Sequence, residues 1–343
     1  MLRSNGVERA LLRNVLNSIQ DVVGSVDALR VESTLEHTEI SKTLDTILRV
    51  LDRKSMTSSE QEQVLRHYAN TILKSRHQRI STAGVIAASG RVEDQICEPV
   101  LEDVFVEPNL TGAGSLRELR DEVDRLYETC RDDETDSLSK DDARRKLLYL
   151  ESETWKKIQE GGGARPASEA LAGKHVVVLL GDPGSGKTTL LRWLLIERAK
   201  EVLREPKGPV PLFVSVGDYA RAWEHENTTG GDLRLDSYLV QRAESECGGL
   251  GEIVNDALLK DGRGVLLLLD GLDEVSRRLR RAVVPRLQEF LQAYVIEEQP
   301  TRIVISSRFF GYEEAPLTAP AVQLVVAPFT DDQIRNFALK WHQ

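Results

Sequence analysis

Apolar residues follow two kinds of pattern along this chain. Over residues 8–52 they recur alternately three and four positions apart. Leu12, Val15, Ile19, Val22, Val26 and Leu29 form one seam; Ile40, Leu44, Ile47 and Leu51 continue it in register, with Ser33 and Glu36 interrupting. Such spacing gives a helix one apolar stripe. It predicts either an amphipathic hairpin folding back on the chain or a short coiled coil that self-associates. A further helix is expected over 58–82, capped by Ser59, with Val64, Leu65, Tyr68, Ile72 and Leu73 on one face. The run from Val100 to Pro108 reads as a strand or extended piece ended by proline. Leu116, Leu119, Val123, Leu126 and Cys130 return to helical spacing, and Ser139 with Asp142 offers a capping box for a helix reaching about Ile158. Gly161-Gly162-Gly163-Ala164-Arg165-Pro166 then breaks the chain as a flexible joint.

From Lys174 onward the second pattern takes over. Short continuous runs of Val, Leu and Ile predict strands at 176–180, 210–216, 264–269, 302–306 and 321–326. Helical spacing lies between them, at 187–203, 236–246, 252–260 and 276–294. Unbroken apolar strands separated by helices imply an α/β fold with a parallel sheet covered on both faces. Five regions result: a coiled-coil-like segment (1–57), a helical lead-in (58–110), a charged helical insertion with its Gly-rich linker (111–170), the α/β core (171–328) and the start of another helical domain (329–343). The core is thus preceded by an all-α N-terminal region.

The first strand runs into Gly181-Asp182-Pro183-Gly184-Ser185-Gly186-Lys187-Thr188-Thr189, which has the form G-x-x-x-x-G-K-T, and a helix follows. That is the setting a phosphate-binding P-loop requires. Its glycines permit backbone angles other residues resist. N–H groups from about Gly184 to Thr188 can converge on phosphate oxygens at the positive end of the helix. Lys187 supplies a mobile positive charge for the terminal phosphates, and the Thr188 hydroxyl can ligate Mg²⁺. The expected fold is therefore the three-layer P-loop NTPase sandwich.

A second strand, Val265-Leu266-Leu267-Leu268-Leu269, ends in Asp270, and Gly271-Leu272-Asp273-Glu274 follows. An aspartate at that strand end can hold Mg²⁺ beside Thr188. Glu274 is the first choice for activating the attacking water, with Asp273 second. The strand Arg302–Ser307 leads to Arg308, a cation placed to sense the γ-phosphate and stabilise transition-state charge. The alternative for Arg308 is a surface side chain in a loop.

Composition narrows the partners. A net charge of −10 argues against broad nucleic-acid binding, which relies on clustered Lys and Arg. The run Arg277-Arg278-Leu279-Arg280-Arg281 is the exception; it reads as a solvated helix start, with a phosphate or partner contact as the alternative. No apolar run approaches the ~18 residues that cross a bilayer. Cys97, Cys130 and Cys247 have no metal-binding spacing and suit buried or free thiols in a reducing compartment, so the expected location is cytoplasmic. His225, between Glu224 and Glu226, is expected in a polar, solvated loop. The base of the nucleotide is not read by a P-loop. Without an Asn-Lys-x-Asp guanine motif, ATP is favoured over GTP.

The succession L-L-G-D-P-G-S-G-K-T-T-L-L-R, P-L-F-V-S-V, L-L-L-L-D-G-L-D-E-V, I-V-I-S-S-R-F-F-G-Y and A-P-F-T-D-D-Q-I resembles the NACHT class of STAND signal-transduction NTPases. Asp270-Gly271-Leu272-Asp273-Glu274 is the most discriminating part. The resemblance covers roughly 100–343 and implies an ATP/ADP switch of slow hydrolysis: closed and ADP-bound at rest, self-assembling into homo-oligomers on activation by a trigger that the sequence does not name. Prokaryotic members of the class are associated with antiphage defence. Carried onto this chain, the family roles fall on Lys187, Thr188, Asp270, Glu274 and Arg308, and the segment from Leu101 to Pro108 is implied to line the base pocket. The class continues with helical, winged-helix and sensor regions past the point where Trp341-His342-Gln343 stands, so the chain reads as a fragment or a short form. Two other readings compete: a working ATPase such as an AAA-type remodeller or DNA-handling motor, and a coiled-coil scaffold with a vestigial nucleotide site. The spaced Asp-Gly-Leu-Asp-Glu and the acidic charge count against the motor, and the intact Lys187, Thr188, Asp270 and Glu274 against the scaffold.

Overall fold

The computed structural model describes residues 56–79, 99–112, 163–259, 262–295, 300–309, 312, 316–318 and 320–342. The seams of residues 8–52, the helices expected within 116–158, and Cys97 and Cys130 lie outside them. Two compact units divide the chain, Met1–Glu60 and Gln61–Gln343. In the first, the Thr57 hydroxyl accepts from the Glu60 backbone N–H, while the Glu60 carboxylate accepts from the Thr57 N–H at 2.7 Å. Thr57, not Ser59, therefore caps helix α1 (Ser58–Lys74): Thr57 and Glu60 close the reciprocal pair, and Ser59 already lies within the first turn. α1 stops at Lys74 and a short 3₁₀ turn, Arg76–Gln78, follows, so the helix is shorter than its apolar spacing suggested.

The second unit is built on a seven-stranded sheet: β1 (Asn109–Gly112), β2 (Arg165–Pro166), β3 (Val176–Leu180), β4 (Val210–Ser215), β5 (Val265–Asp270), β6 (Arg302–Ser307) and β7 (Val322–Val326), in the order β2-β1-β7-β3-β6-β5-β4. From β7 to β4 every pairing is parallel. β1 pairs antiparallel with both β7 and β2. The five strands read from the sequence are the parallel ones. Val, Leu and Ile fill them without alternation because both faces are covered: every residue of β3 is buried.

Two short strands at the β2 end of the sheet were not foreseen. Arg165–Pro166, expected in a flexible joint, pairs with Asn109 and Leu110. Proline is tolerated there because β2 is the sheet's edge and its missing N–H faces no neighbour. The segment after Val100, expected to be extended, opens with one helical turn, α2 (Leu101–Val104), before Phe105 resumes extended backbone. Leu101 and Val104, three apart, are both buried, and Glu102 and Asp103 favour the positive end of the turn.

The remaining helices are α3 (Ala167–Leu171), α4 (Lys187–Arg204), α5 (Val216–Thr228), α6 (Leu235–Glu246), α7 (Leu250–Leu258), α8 (Arg277–Tyr294) and α9 (Asp331–Trp341). α5 went unread in the sequence. Ser215 caps it by accepting from Asp218 N–H, and Val216, Tyr219 and Ala220 are its buried face. His225 therefore lies in a helix rather than a loop, though its side chain is exposed as expected. None of the described helices is long and apolar enough to cross a membrane.

Candidate nucleotide site

Parallel strands bring their carboxyl ends to one edge of the sheet, and three of those ends meet here. β3 delivers the P-loop, β5 delivers Asp270, and β6 lies between them. The P-loop turns into α4 through Gly186, whose φ of 90° places it in the left-handed region that disfavours a side chain. Lys187 lies over its own loop, its ammonium donating to the Gly181 and Asp182 carbonyls at 2.7 and 2.8 Å and to the Ser185 hydroxyl at 3.3 Å. Partial desolvation pulls its pKa below the ordinary lysine value, against the opposing pull of Asp273 and Asp182. An arriving phosphate competes with neutral carbonyls for this cation.

Thr188 opens α4 and donates its hydroxyl to Asp270 Oδ1 at 3.0 Å. The pair brings a hydroxyl and a carboxylate, the hard oxygen donors that suit Mg²⁺. Ser306, at 1% exposure on β6, donates to the same Oδ1 at 2.6 Å and accepts from the Gly271 N–H at 2.9 Å. Ser306 thus orients the aspartate and anchors the loop that follows it. Nothing marked it in the sequence beyond a small polar residue closing an apolar strand.

Past Asp270, Gly271 takes φ 79° and a 3₁₀ turn covers Leu272–Glu274. Glycine is favoured here by the backbone angle, and a Cβ on Gly271 would stand 2.9 Å from the Glu274 carboxyl carbon, so that the side chain folded across it would have to shift. Desolvation, joined by the Asp270 and Asp273 carboxylates, raises the Glu274 pKa above the ordinary value of 4.5. Asp273 is otherwise engaged. Its Oδ1 accepts from the Arg308 N–H and its Oδ2 faces Arg308 Nε, both at 2.9 Å. Arg308 is about half exposed and ion-paired to Asp273.

Two cavities flank the P-loop. One, of about 250 Å³, is lined by Lys187, Thr188, Asp270, Asp273, Glu274 and Arg308 among others. The other, of about 550 Å³, lies against Gly181–Gly186 and is walled by Phe105, Val106, Phe309, Phe329, Phe337 and Trp341. Pro183, Gly184, Gly186 and Thr189 line both. The P-loop thus lies between a cleft lined by polar side chains and one lined by aromatic ones. The implied base-pocket segment supplies Phe105, Val106 and Pro108 to the second cavity. The aromatic contribution of α9 was missed.

Residues 175–343 match the family model of the NACHT domain. The chain carries a NACHT domain. NACHT domains are nucleoside triphosphatases, so nucleotide binding and hydrolysis of a nucleoside triphosphate follow for this part of the chain. The match reaches through α9, which places Phe337 and Trp341 within the domain. A comparison with curated proteins finds no match for the chain.

The basic run at the start of α8 divides. Arg277, Arg278 and Arg281 are exposed, and Arg278 pairs with Glu224 across to α5. Arg280 is 6% exposed and donates into the loop carrying Glu274. The expectation of a solvated helix start therefore fails at Arg280, because this one side chain points inward from the helix to backbone carbonyls.

Proposed function

We propose that this NACHT domain is an ATP-operated switch that hydrolyses its nucleotide slowly and whose bound nucleotide controls self-assembly. The observation that carries the reading is the pair of cavities joined over the P-loop. The polar one is lined by Lys187, Thr188, Asp270 and Glu274, the groups that this reading uses to bind and cleave a terminal phosphate. The aromatic one is walled by a helix from the end of the domain.

In this reading the N–H groups from Gly184 to Thr188 and the Lys187 ammonium take the phosphates, displacing the lysine from the Gly181 and Asp182 carbonyls. Thr188 and Asp270 are the residues that hold Mg²⁺, whose charge, when bound, offsets that of the phosphate oxygens. Glu274 accepts the proton of the attacking water, and its raised pKa suits a base working nearer neutrality. Asp273 is set aside from that task by its two bonds to Arg308, and instead aims the arginine. Arg308 reaches the γ-phosphate only by trading against Asp273, which favours slow turnover and gives the site a contact sensitive to that phosphate.

ATP is preferred to GTP in this reading because the sequence has no Asn-Lys-x-Asp motif and, among the described residues, Asp182 is the one carboxylate lining the aromatic cavity that could accept from the guanine ring N–H and amino group. Coupling to assembly rests on α9. Lys340 Nζ donates to the Phe105 carbonyl and Gln333 Nε2 to the Glu107 carbonyl, each at 2.7 Å, so the helix is fastened to the segment that lines the base cavity. Signalling, with antiviral defence as its setting, is the biological role this switch would serve, in the cytoplasm.

The test is the mass of the purified chain by light scattering, with ADP and then with a non-hydrolysable ATP analogue and Mg²⁺. Oligomers with the analogue alone are expected. Equal mass in both, with nucleotide bound, overturns control of assembly by this chain's own surface.

A further inference from the structure

We infer that Arg280 is a positioning residue for the hydrolytic carboxylate: its guanidinium grips the backbone on both sides of Glu274 and fixes where that side chain stands. The inference rests on the reading of Glu274 as the base. One nitrogen, Nη2, donates to the Asp273 carbonyl and to the Val275 carbonyl, each at 2.8 Å. Those carbonyls belong to the residues immediately before and after Glu274.

The other ends of the loop are tied independently. Gly271 N–H donates to Ser306, Glu274 N–H donates to the Gly271 carbonyl at 3.1 Å, and the Asp273 carboxylate takes Arg308. Without Arg280 the Val275 end, where the chain leaves for α8, keeps only the packing of the buried Val275 side chain and loses the polar tie that fixes the backbone around Glu274.

Burial sharpens the point. Of the four arginines opening α8, only Arg280 is buried, at 6% exposure. Burying a cation is unfavourable unless its donors are met, and packing alone would be served better by leucine. The guanidinium is placed where two main-chain oxygens receive it. Its trigonal nitrogen holds two protons in a fixed plane, so the angle between the carbonyls is set as well as their distance. A lysine reaches the same oxygens with a rotating ammonium and a compact charge, which keeps the attraction and loses the angle.

The experiment is a four-protein cycle in the full chain: parent, Arg280→Lys, Glu274→Gln and the double variant. ATP hydrolysis is followed in steady state and single turnover, ADP affinity by calorimetry and folding by thermal unfolding. Arg280→Lys is expected to bind ADP as the parent does, with KM unchanged and kcat lowered on the order of tenfold to a hundredfold, the scale for a catalytic group displaced by about 1 Å. In the Glu274→Gln background the same change is expected to cost nothing further.

An equal loss in both backgrounds, with Glu274→Gln itself slow, overturns this inference and leaves the base assignment standing. So does a fall in ADP affinity that accounts for the lost rate, or a parent-like kcat in Arg280→Lys. A parent-like rate in Glu274→Gln overturns the base assignment, and this inference with it. If the lysine variant does not fold, Arg280→Met takes its place in the cycle, since it keeps an unbranched side chain that fills the buried site and donates to neither carbonyl.

Discussion

On the Lys187 side of the P-loop the cleft is walled by polar side chains that bind one another: Thr188 and Ser306 to Asp270, Arg308 to Asp273, and Arg280 to the loop between. On the other side the wall is aromatic and loosely tied. Phe337 stands 5.5 Å from Trp341 and 6.4 Å from Phe329, and α9, which carries two of the three, has no buried residue at all. Ile334 and Leu339 on the same helix are 52% and 68% exposed. The polar wall grows out of strand ends in the centre of the sheet, while the aromatic wall hangs on the domain by Lys340 and Gln333. Chemistry that needs fixed geometry sits where the backbone is most constrained. Recognition that tolerates adjustment sits where it is least constrained.

Four substitutions separate the two walls. Lys187→Ala carries the largest expected effect: nucleotide affinity falls by about 100-fold or more, since hydrogen bonds to a charged group are each worth ~1.5–3 kcal/mol and the lysine makes several. Calorimetric titration with ATP checks it, and parental affinity would remove the polar wall from phosphate binding. Glu274→Gln is next, with binding retained and hydrolysis slowed on the order of 10²-fold. In the parent, hydrolysis declines on acidification as Glu274 takes up a proton and can no longer accept one from water. Because its pKa is raised, that decline is centred above pH 4.5, and the glutamine variant lacks it. A pH–rate profile identical in both proteins removes Glu274 from the mechanism.

Ser306→Ala leaves the Gly271 N–H buried without its acceptor and Asp270 without one donor, so thermal stability falls by ~1–3 kcal/mol. The Mg²⁺ concentration needed for hydrolysis rises ~10-fold with it, as second partners of metal ligands do when lost. Unchanged Mg²⁺ dependence would show that Asp270 needs no such support. The smallest effect belongs to Trp341→Ala. Affinity for ATP drops only a few-fold, stability hardly moves and affinity for tripolyphosphate stays at the parental value. A loss for tripolyphosphate equal to that for ATP would mean that the aromatic wall supports the phosphates too.

The polar wall was the more legible from residue types alone. Val176–Thr189 and Val265–Glu274 announce strand, turn and carboxylate in a fixed order, because buried parallel strands demand unbroken apolar runs. What escaped was whatever depended on partners distant in sequence. Ser306 looks ordinary until the sheet order places β6 beside β5; Arg280 is an exception, bonding only five and seven residues back, where nothing in the basic run told its inward side chain from its exposed neighbours. β1 and β2 are too short for any periodicity, and exist only because β7 offers them an edge. α5 had a readable signal in Val216, Tyr219, Ala220 and Trp223, spaced as on one helical face, but Glu224, His225 and Glu226 suggested a loop. The aromatic wall assembles residues from Phe105 to Trp341, and of its aromatic side chains Phe105 alone lay in the segment assigned to the base beforehand.

The fastening of α9 has a consequence for how this site can diversify. Lys340 and Gln333 grip carbonyl oxygens of Phe105 and Glu107, and every amino acid offers that oxygen. Substitutions at 105 or 107 can therefore change what the cavity accepts without undoing the helix attachment. Attachment and selectivity are inherited through different atoms of the same residues, so one can drift while the other is kept.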